Sequence, residues 1–168
     1  MIDRDYCVTM ARYNRWQNAQ LETLLGALGS AELTQDRGAF FGSILGTVNH
    51  IFWGDMMWMS RFDGGASPEQ PASESAQVFP TLAAWAAERF RLDGRIRQWA
   101  LGIHAVDLAG HLTWYSGSAG REVTAPVSQL VVHFFNHQTH HRGQVHAMLT
   151  ATGSKAPVSD LFLIPDEK

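Results

Sequence analysis

Apolar residues recur at intervals of three and four positions along four long segments of the chain. This spacing places side chains on one face of an α-helix. It predicts long helices at about residues 6–28, 43–61, 81 to 100 or 101, and 126–149, with a short helical turn after Gly29. Four amphipathic helices of this length are typical of an all-α protein built as a four-helix bundle.

Two segments between the helices lack helical periodicity. Residues 63–77 are rich in glycine, proline and serine and predict a long loop. Such a crossover lets the flanking helices run parallel, although a linker between domains is the alternative interpretation. Short β-favouring runs on either side of residues 117–120 predict a small β-hairpin before the last long helix. In the tail, residues 153–168, the apolar stretch 161–164 is expected to pack back onto the bundle.

Length and composition narrow the class of protein. The 168 residues fit one domain, spanning residues 1–168, that buries its own core. Thirteen basic against sixteen acidic residues give a net charge of −3 without a basic run, so a nucleic-acid partner is not expected. Cys7 is the only cysteine, which excludes an intrachain disulfide. The N-terminus lacks a signal-peptide-like apolar stretch and no apolar run is long enough to span a membrane, so a cytoplasmic location is expected.

The last predicted helix carries five of the eight histidines, all within residues 133–146. At about 100° per residue, His133, His137 and His141 point the same way, together with Gln144. Leu130, Phe134 and Met148 share that face, which therefore looks toward a core. His146 points the opposite way.

A row of imidazoles on a core-facing helix has two interpretations. Each ring can stay neutral and find its own hydrogen-bond partner in the core. Alternatively, one divalent cation accepts a lone pair from each of them, as the i, i+4 pair His137 and His141 allows. This helix alone leaves the two interpretations open.

The second predicted helix adds another histidine in an unusual setting. His50 lies among large apolar residues, with Gly46 one turn before it and Gly54 one turn after it. A glycine inside a helix costs about 1 kcal/mol relative to alanine, so something must come close there. Either a ligand site or a tight helix crossing explains the two glycines, and packing is slightly favoured. With His137 and His141, His50 would give three nitrogens around one ion and leave positions open for water or substrate.

Other polar residues have simpler interpretations. Asn14 and Asn18 predict either a solvated stripe beside core aromatics or the polar wall of a pocket. The arginines of the third long helix predict a solvated face rather than a phosphate site. Cys7 is expected to be an inert thiol. His133 is expected either to contact a metal-binding histidine or to be an unrelated pocket residue, and His140 either to pack between helices or to contact such a histidine. His104 and His111 are expected to be surface or loop residues, with an approach of His111 to the pocket as the alternative. Asp55 lies about 140° from His50 around the helix.

Several runs of residues together resemble the DinB family, within a wider group of DinB-like and YfiT-like metalloenzymes. The matching runs cover nearly the whole chain: Tyr13-Asn14-Arg15-Trp16; Gly46-Thr47-Val48-Asn49-His50, followed by Trp53, Asp55, Trp58 and Arg61-Phe62; Asn136-His137-Gln138-Thr139-His140-His141-Arg142-Gly143-Gln144; and Asp160-Leu161. The resemblance implies a four-helix bundle with a long crossover after the second helix. It also implies a divalent metal, nickel or zinc first and iron or manganese next, held by His50, His137 and His141.

The resemblance further implies a homodimer and leaves two classes of function. The first is a metal-dependent enzyme, either a hydrolase or a thiol-dependent transferase acting on an unknown small molecule, with a low-molecular-weight thiol as one candidate. The second is a non-catalytic metal-binding protein of a stress response, in which the ion is structural or sensory. The family is named after damage-inducible expression, which is no argument for DNA binding. The sequence identifies no catalytic nucleophile or general base.

Overall fold

The structure is a computed structural model that describes residues 2–117 and 119–166. The chain is mostly helical, with one small antiparallel sheet. In chain order the elements are α1 (Arg4–Leu25), α2 (Ser30–Thr34), α3 (Ile44–Asp63), α4 (Leu82–Gly102), α5 (Ala105–Ala109), β1 (His111–Ser116), β2 (Arg121–Pro126) and α6 (Val127–Ala151). The four long helices lie where the hydrophobic pattern predicts them, within a few residues at each end.

Local sequence explains where three of these helices begin. The side chains of Asp3, Ser43 and Thr81 cap α1, α3 and α4, each accepting a hydrogen bond from a backbone N–H three residues further on. Helix α3 ends at Gly64, whose φ of 71° is the left-handed conformation that glycine adopts without strain. These signals fix the ends of α3, the helix that carries His50.

The long helices pack against one another as neighbours. Helix α1 contacts α4 and α6, and α3 contacts α6 and α4. Trp58 faces His133 while His50 faces His137, so α3 and α6 run in opposite directions. Helices α3 and α4 run parallel, because residues 48, 55 and 63 of α3 contact residues 85, 89 and 95 of α4 in turn. The parallel pair agrees with the predicted crossover.

The crossover is more ordered than predicted. A 3-10 helix, Ala72–Gln77, interrupts the expected loop and packs against α3. Asn49 donates hydrogen bonds to the carbonyls of Ala76 and Phe79, and the indole of Trp53 donates to the carbonyl of Gln70. Side chains of α3 therefore hold the crossover in place.

The predicted hairpin is present. Strands β1 and β2 pair antiparallel, with His111 opposite Pro126 and Ser116 opposite Arg121. Gly120, in the turn, has a φ of 64°. Ser118 of the predicted turn lies outside the described residues. The hairpin leads directly into α6, so it lies beside the start of the histidine-bearing helix.

A buried ionic network links three of the long helices. The guanidinium of Arg89 lies 2.6 Å from an oxygen of Asp55 and 2.7 Å from one of Asp93, and all three side chains are buried. Gln138 also donates a hydrogen bond to Asp55. The prediction of a solvated arginine face on α4 is therefore wrong for Arg89. Its helical periodicity could not reveal the two carboxylates that it pairs with on α3 and on its own helix.

The two asparagines of α1 belong to the same network. Asn14 and Asn18 are buried, and both donate hydrogen bonds to Asp93 at 3.0 Å. The buried guanidinium of Arg142 donates to the side-chain oxygen of Asn14. Neither a solvated stripe nor a pocket wall describes these asparagines. They supply the hydrogen bonds that buried charges require.

The C-terminal tail departs from its prediction. Leu161, Phe162 and Leu163 are exposed, and Phe162 is 83% exposed. The tail instead meets α1 through polar contacts, because Tyr13 and Gln17 donate hydrogen bonds to backbone carbonyls of residues 158 and 159. Residues 167 and 168, the end of the predicted tail, lie outside the described residues. None of the described helices is long and apolar enough to cross a membrane.

We expect Arg89→Met to lower the free energy of unfolding by about 3–5 kcal/mol, because it leaves buried carboxylates without their cation. Arg91→Met is the matched control. Arg91 lies two residues along α4, is 72% exposed and pairs with exposed Glu88, so its replacement should change the free energy by less than about 1 kcal/mol. Urea denaturation of both variants, free of metal, measures the difference. Equal losses would mean that the buried network does not stabilise the fold.

Candidate metal centre

Three histidines from two helices converge at one point. His50 of α3 and His137 and His141 of α6 each offer a ring nitrogen, and these atoms all lie within 4.8 Å of one another. The Nε2 atoms of His50 and His137 are 3.2 Å apart. Helix geometry brings His137 and His141 together one turn apart, and the packing of α3 on α6 supplies the third ring.

The spacing of two of these nitrogens fits a small divalent ion. Nitrogens bound tetrahedrally to zinc at about 2.0–2.1 Å lie about 3.3 Å from one another. The observed 3.2 Å between the first two nitrogens matches that value. Imidazole is a ligand that zinc and nickel both accept. His50, His137 and His141 are thus residues that can hold a metal ion.

Hydrogen bonds from the remaining ring nitrogens orient two of the rings. Nδ1 of His141 lies 2.9 Å from the amide oxygen of Gln144, which makes Nδ1 the protonated nitrogen and leaves the lone pair on Nε2. Nδ1 of His50 lies 3.0 Å from the hydroxyl of Ser75. Such partners are the usual means of fixing metal-binding imidazoles. The sequence placed Gln144 on the correct face of α6, but Ser75 lies in the crossover and gave no signal.

Burial keeps the three rings neutral. Burial, reinforced by the neighbouring His141, lowers the pKa of His50 to about 4. Burial and the other histidines lower the pKa of His137 to about 3. The pKa of His141 is also lowered, mainly by burial, although its hydrogen bond with Gln144 opposes the shift. At neutral pH the lone pairs are therefore available to a cation.

Each glycine flanking His50 accommodates a different neighbour. A Cβ atom at Gly54 would lie 2.7 Å from Cε1 of His137, so only glycine leaves room for this imidazole. A Cβ at Gly46 would lie 2.5 Å from the carbonyl oxygen of Phe41. At Gly54 the close neighbour is a histidine ring of α6, so the close packing of two helices and the candidate metal centre coincide there. At Gly46 the close neighbour is a loop carbonyl rather than a second helix.

An aromatic ring that the sequence did not single out covers part of the centre. Phe41, in the loop before α3, stacks on His50 with ring centroids 3.8 Å apart. It also meets the edge of His141 at 5.4 Å. This apolar contact contributes to the burial that keeps both imidazoles neutral.

A cavity of about 920 Å³ opens beside the histidines, between α3, α6, the crossover and the hairpin. Its walls include His50, His137, Trp53, Trp58 and Trp114. The volume is within the range of small-molecule sites. Two of the three histidines therefore face a space that can admit a ligand.

The remaining histidines lie outside the cluster. His133 lines the cavity and its ring centroid is 6.1 Å from that of His137, so it is a pocket residue. His140 is exposed and lies 3.4 Å from the amide nitrogen of Gln144, the partner of His141. His104 and His111 are exposed, as predicted.

Asp55 and Cys7 are both buried away from the three histidines. Asp55 contacts Arg89 and Gln138 rather than His50, which agrees with its angular separation from His50. The thiol of Cys7 is buried, and burial raises its pKa to about 11. It is protonated and inert at neutral pH, as predicted.

We expect Gly54→Ala to weaken metal binding by about tenfold or more, because the new methyl group displaces the imidazole of His137. Gly94→Ala is the matched control, since a Cβ there meets nothing within 4 Å. This control should bind metal normally and gain up to about 1 kcal/mol in stability, as alanine favours the helix. Competition with a chromophoric chelator measures the affinities. Unchanged affinity in Gly54→Ala would contradict the assigned role.

We expect the metal-free protein to lose stability between about pH 7 and pH 5. The lowered pKa values of His50 and His137 mean that the unfolded chain binds more protons than the folded one below about pH 6.5. This loss of stability should be smaller in His137→Asn, which removes one such imidazole. Urea denaturation of both proteins at both pH values measures the loss.

Asp55 has the opposite effect on the pH dependence of stability, and this effect is the same in the wild type and in His137→Asn. Burial raises its pKa to about 6, so its protonation favours the folded state on acidification, equally in both proteins. An identical loss of stability in the wild type and in His137→Asn would contradict the neutral, buried state of this ring.

Comparisons with known proteins bear on the family and the fold of the chain. The protein DinB of Bacillus subtilis is 25% identical over 169 residues, which cover 98% of this chain and 98% of that protein. A crystal structure of a DinB-like protein from Bacillus cereus has a TM-score of 0.60 at 18% identity, over 86% of this chain and 91% of the other, and thus shares the fold. The model of the DinB family matches residues 1–167. Because that match spans almost every residue, the chain belongs to the DinB family.

Proposed function

We propose that the protein binds one divalent metal ion through Nε2 of His50, His137 and His141. The observation that carries the proposal is the convergence of three neutral imidazoles beside a cavity. The donor set of nitrogen atoms favours nickel or zinc, with iron or manganese as further candidates. Ser75 and Gln144 support the proposal because they orient two of the rings.

The cavity supports a catalytic role. An ion with three imidazole ligands supplies Lewis-acid chemistry, which lowers the pKa of a water or thiol that it contacts. The protein's part is to orient the three rings and to enclose the ligand between Trp53, Trp58 and Trp114. We therefore propose a metal-dependent enzyme, either a hydrolase or a thiol-dependent transferase acting on a small molecule.

His133 is the residue placed to exchange a proton with a bound ligand. It lines the same cavity, one helical turn from His137, and burial lowers its pKa below the ordinary value of about 6.5. Its neutral form can accept a proton at neutral pH. Its ring also lies 5.2 Å from that of Trp58, which holds it at the cavity wall.

The alternative is a non-catalytic metal-binding protein of a stress response. An ion shared by α3 and α6 would cross-link two long helices and stabilise their packing. In that case the coordination should be closed to external ligands. The cavity beside His50 and His137 favours the catalytic interpretation over this one.

Three broader features belong to the same proposal. We propose that residues 1–168 form a single domain, arranged as a four-helix bundle, because each long helix contacts two others. A homodimer and a cytoplasmic location come from the family resemblance and from the sequence. Sedimentation analysis of the purified protein tests the dimer.

We expect about one equivalent of metal per chain in the wild type, and loss of that metal in His50→Ala and in His137→Ala. Exposed His104→Ala is the control and should keep the metal. Elemental analysis of the purified, untagged proteins measures the content. Retention of metal by either site variant would contradict the proposed ligand set.

A second measurement separates the two functions. Cobalt in the reconstituted protein has an absorption spectrum that changes when azide or a thiol joins its ligands. A change on addition of either supports an open site and catalysis, whereas an unchanged spectrum supports the structural role.

A further inference from the structure

The cavity beside the histidines carries an unusual balance of charge. Among the described residues that line it, Arg61 is the only lysine or arginine, and no aspartate or glutamate takes part. The other lining residues are mostly aromatic, apolar or neutral polar groups. A cavity of this composition favours an anionic ligand with an apolar body.

The guanidinium of Arg61 packs against two indole rings. It lies 4.7 Å from the ring centre of Trp58 and 5.5 Å from that of Trp114, and the two indoles also contact each other edge to face at 5.5 Å. These cation–π contacts fix the position of the guanidinium beside both rings. Trp114 comes from β1, so the hairpin supplies one of the two rings.

Arg61 has no carboxylate partner among the described residues, in contrast to Arg89 and Arg95. Arg89 pairs with Asp55 and Asp93, and Arg95 pairs with Asp63. Partial burial lowers the pKa of Arg61, and no neighbouring acid compensates for it. A half-buried cation without a counter-charge is a ready site for an incoming anion.

Arg61 and the histidine cluster lie at opposite ends of one groove. Arg61 follows His50 by eleven residues, which places it within about 20° of the same face of α3 and about 16 Å along the helix. Gly54 lies between them on that face, where the ring of His137 packs against it, and also lines the cavity. His133 and Leu130 of α6 line the opposite wall.

We propose that Arg61, packed against Trp58 and Trp114, binds the carboxylate of an elongated substrate whose reactive end lies at the three histidines. This proposal rests on the proposed metal site for the reactive end alone. A single fixed cation matches one carboxylate, whereas a phosphate dianion would need more than one cationic group. The substrate class is therefore a small organic monoanion with an apolar middle section.

A series of mercaptoalkanoic acids of increasing chain length tests the separation between the three histidines and Arg61. Each has a thiol for the metal end and a carboxylate for Arg61, and the corresponding mercaptoalkanols lack only the charge. Mercaptoundecanoate should bind about tenfold or more tightly than mercaptoundecanol, since a hydrogen-bonded charge pair replaces a neutral contact. Mercaptopropionate is too short to reach both ends and should show no such preference over mercaptopropanol. Isothermal titration of the cobalt-loaded protein measures the affinities.

Variants of Arg61 identify the group that recognises the acid. Arg61→Gln should bind the long acid and alcohol equally, while Arg61→Lys should keep part of the preference because the charge remains. Arg91→Gln, which removes a charge from the exposed face of α4, should behave as the wild type. Thermal melting of each variant establishes that it is folded. The comparison of acid with alcohol in the wild type tests the proposal even if a variant does not fold.

The outcomes separate this proposal from that of the metal site. Equal binding of long acid and long alcohol by the wild type, or a preference that survives in Arg61→Gln, would overturn the role of Arg61. A cobalt spectrum that responds to thiols would in that case leave the metal site standing. Conversely, metal-free protein that still prefers the acid, together with failure to bind cobalt, would support Arg61 and reject the metal site.

Discussion

The close approach of α3 and α6 is the constraint on which the rest of the structure depends. The imidazole of His137 occupies the space that a side chain at Gly54 would need. Beside this contact, Nε2 of His50 lies 3.2 Å from that of His137, and the cavity that Arg61 also lines opens next to both rings. A larger residue at that position would displace the imidazole of His137 and change the spacing of the three nitrogens.

Helix α6 serves two polar systems at once. Residues 137 and 141 belong to the candidate metal centre, whereas their sequence neighbours Gln138 and Arg142 enter the buried network with Asp55 and Asn14. Because successive residues are rotated by about 100°, a change of helix rotation would disturb both systems. The network thus contributes to the rotation of α6 that aims its histidines, and the charges of Arg89, Arg142, Asp55 and Asp93 balance within it.

The sequence predicted the long helices, the hairpin and the three histidines, because each leaves a local trace. Helical periodicity and the i, i+4 pair His137 and His141 are both read from nearby positions. The buried state of Arg89 and Asn14 could not be read in this way, since their partners lie on other helices. Ser75 and Phe41 were missed for the same reason. They act through tertiary contacts made by segments without periodicity.

The placement of tryptophans around the cavity has an optical consequence. Three of the six tryptophans, Trp53, Trp58 and Trp114, line it, and the ring of Trp53 is 6.4 Å from that of His50. An indole so near the three histidines would lose its emission to a bound ion with a partly filled d shell, such as nickel or cobalt, but not to zinc. The intrinsic fluorescence of the protein would therefore report which kind of ion the histidines hold, without any label.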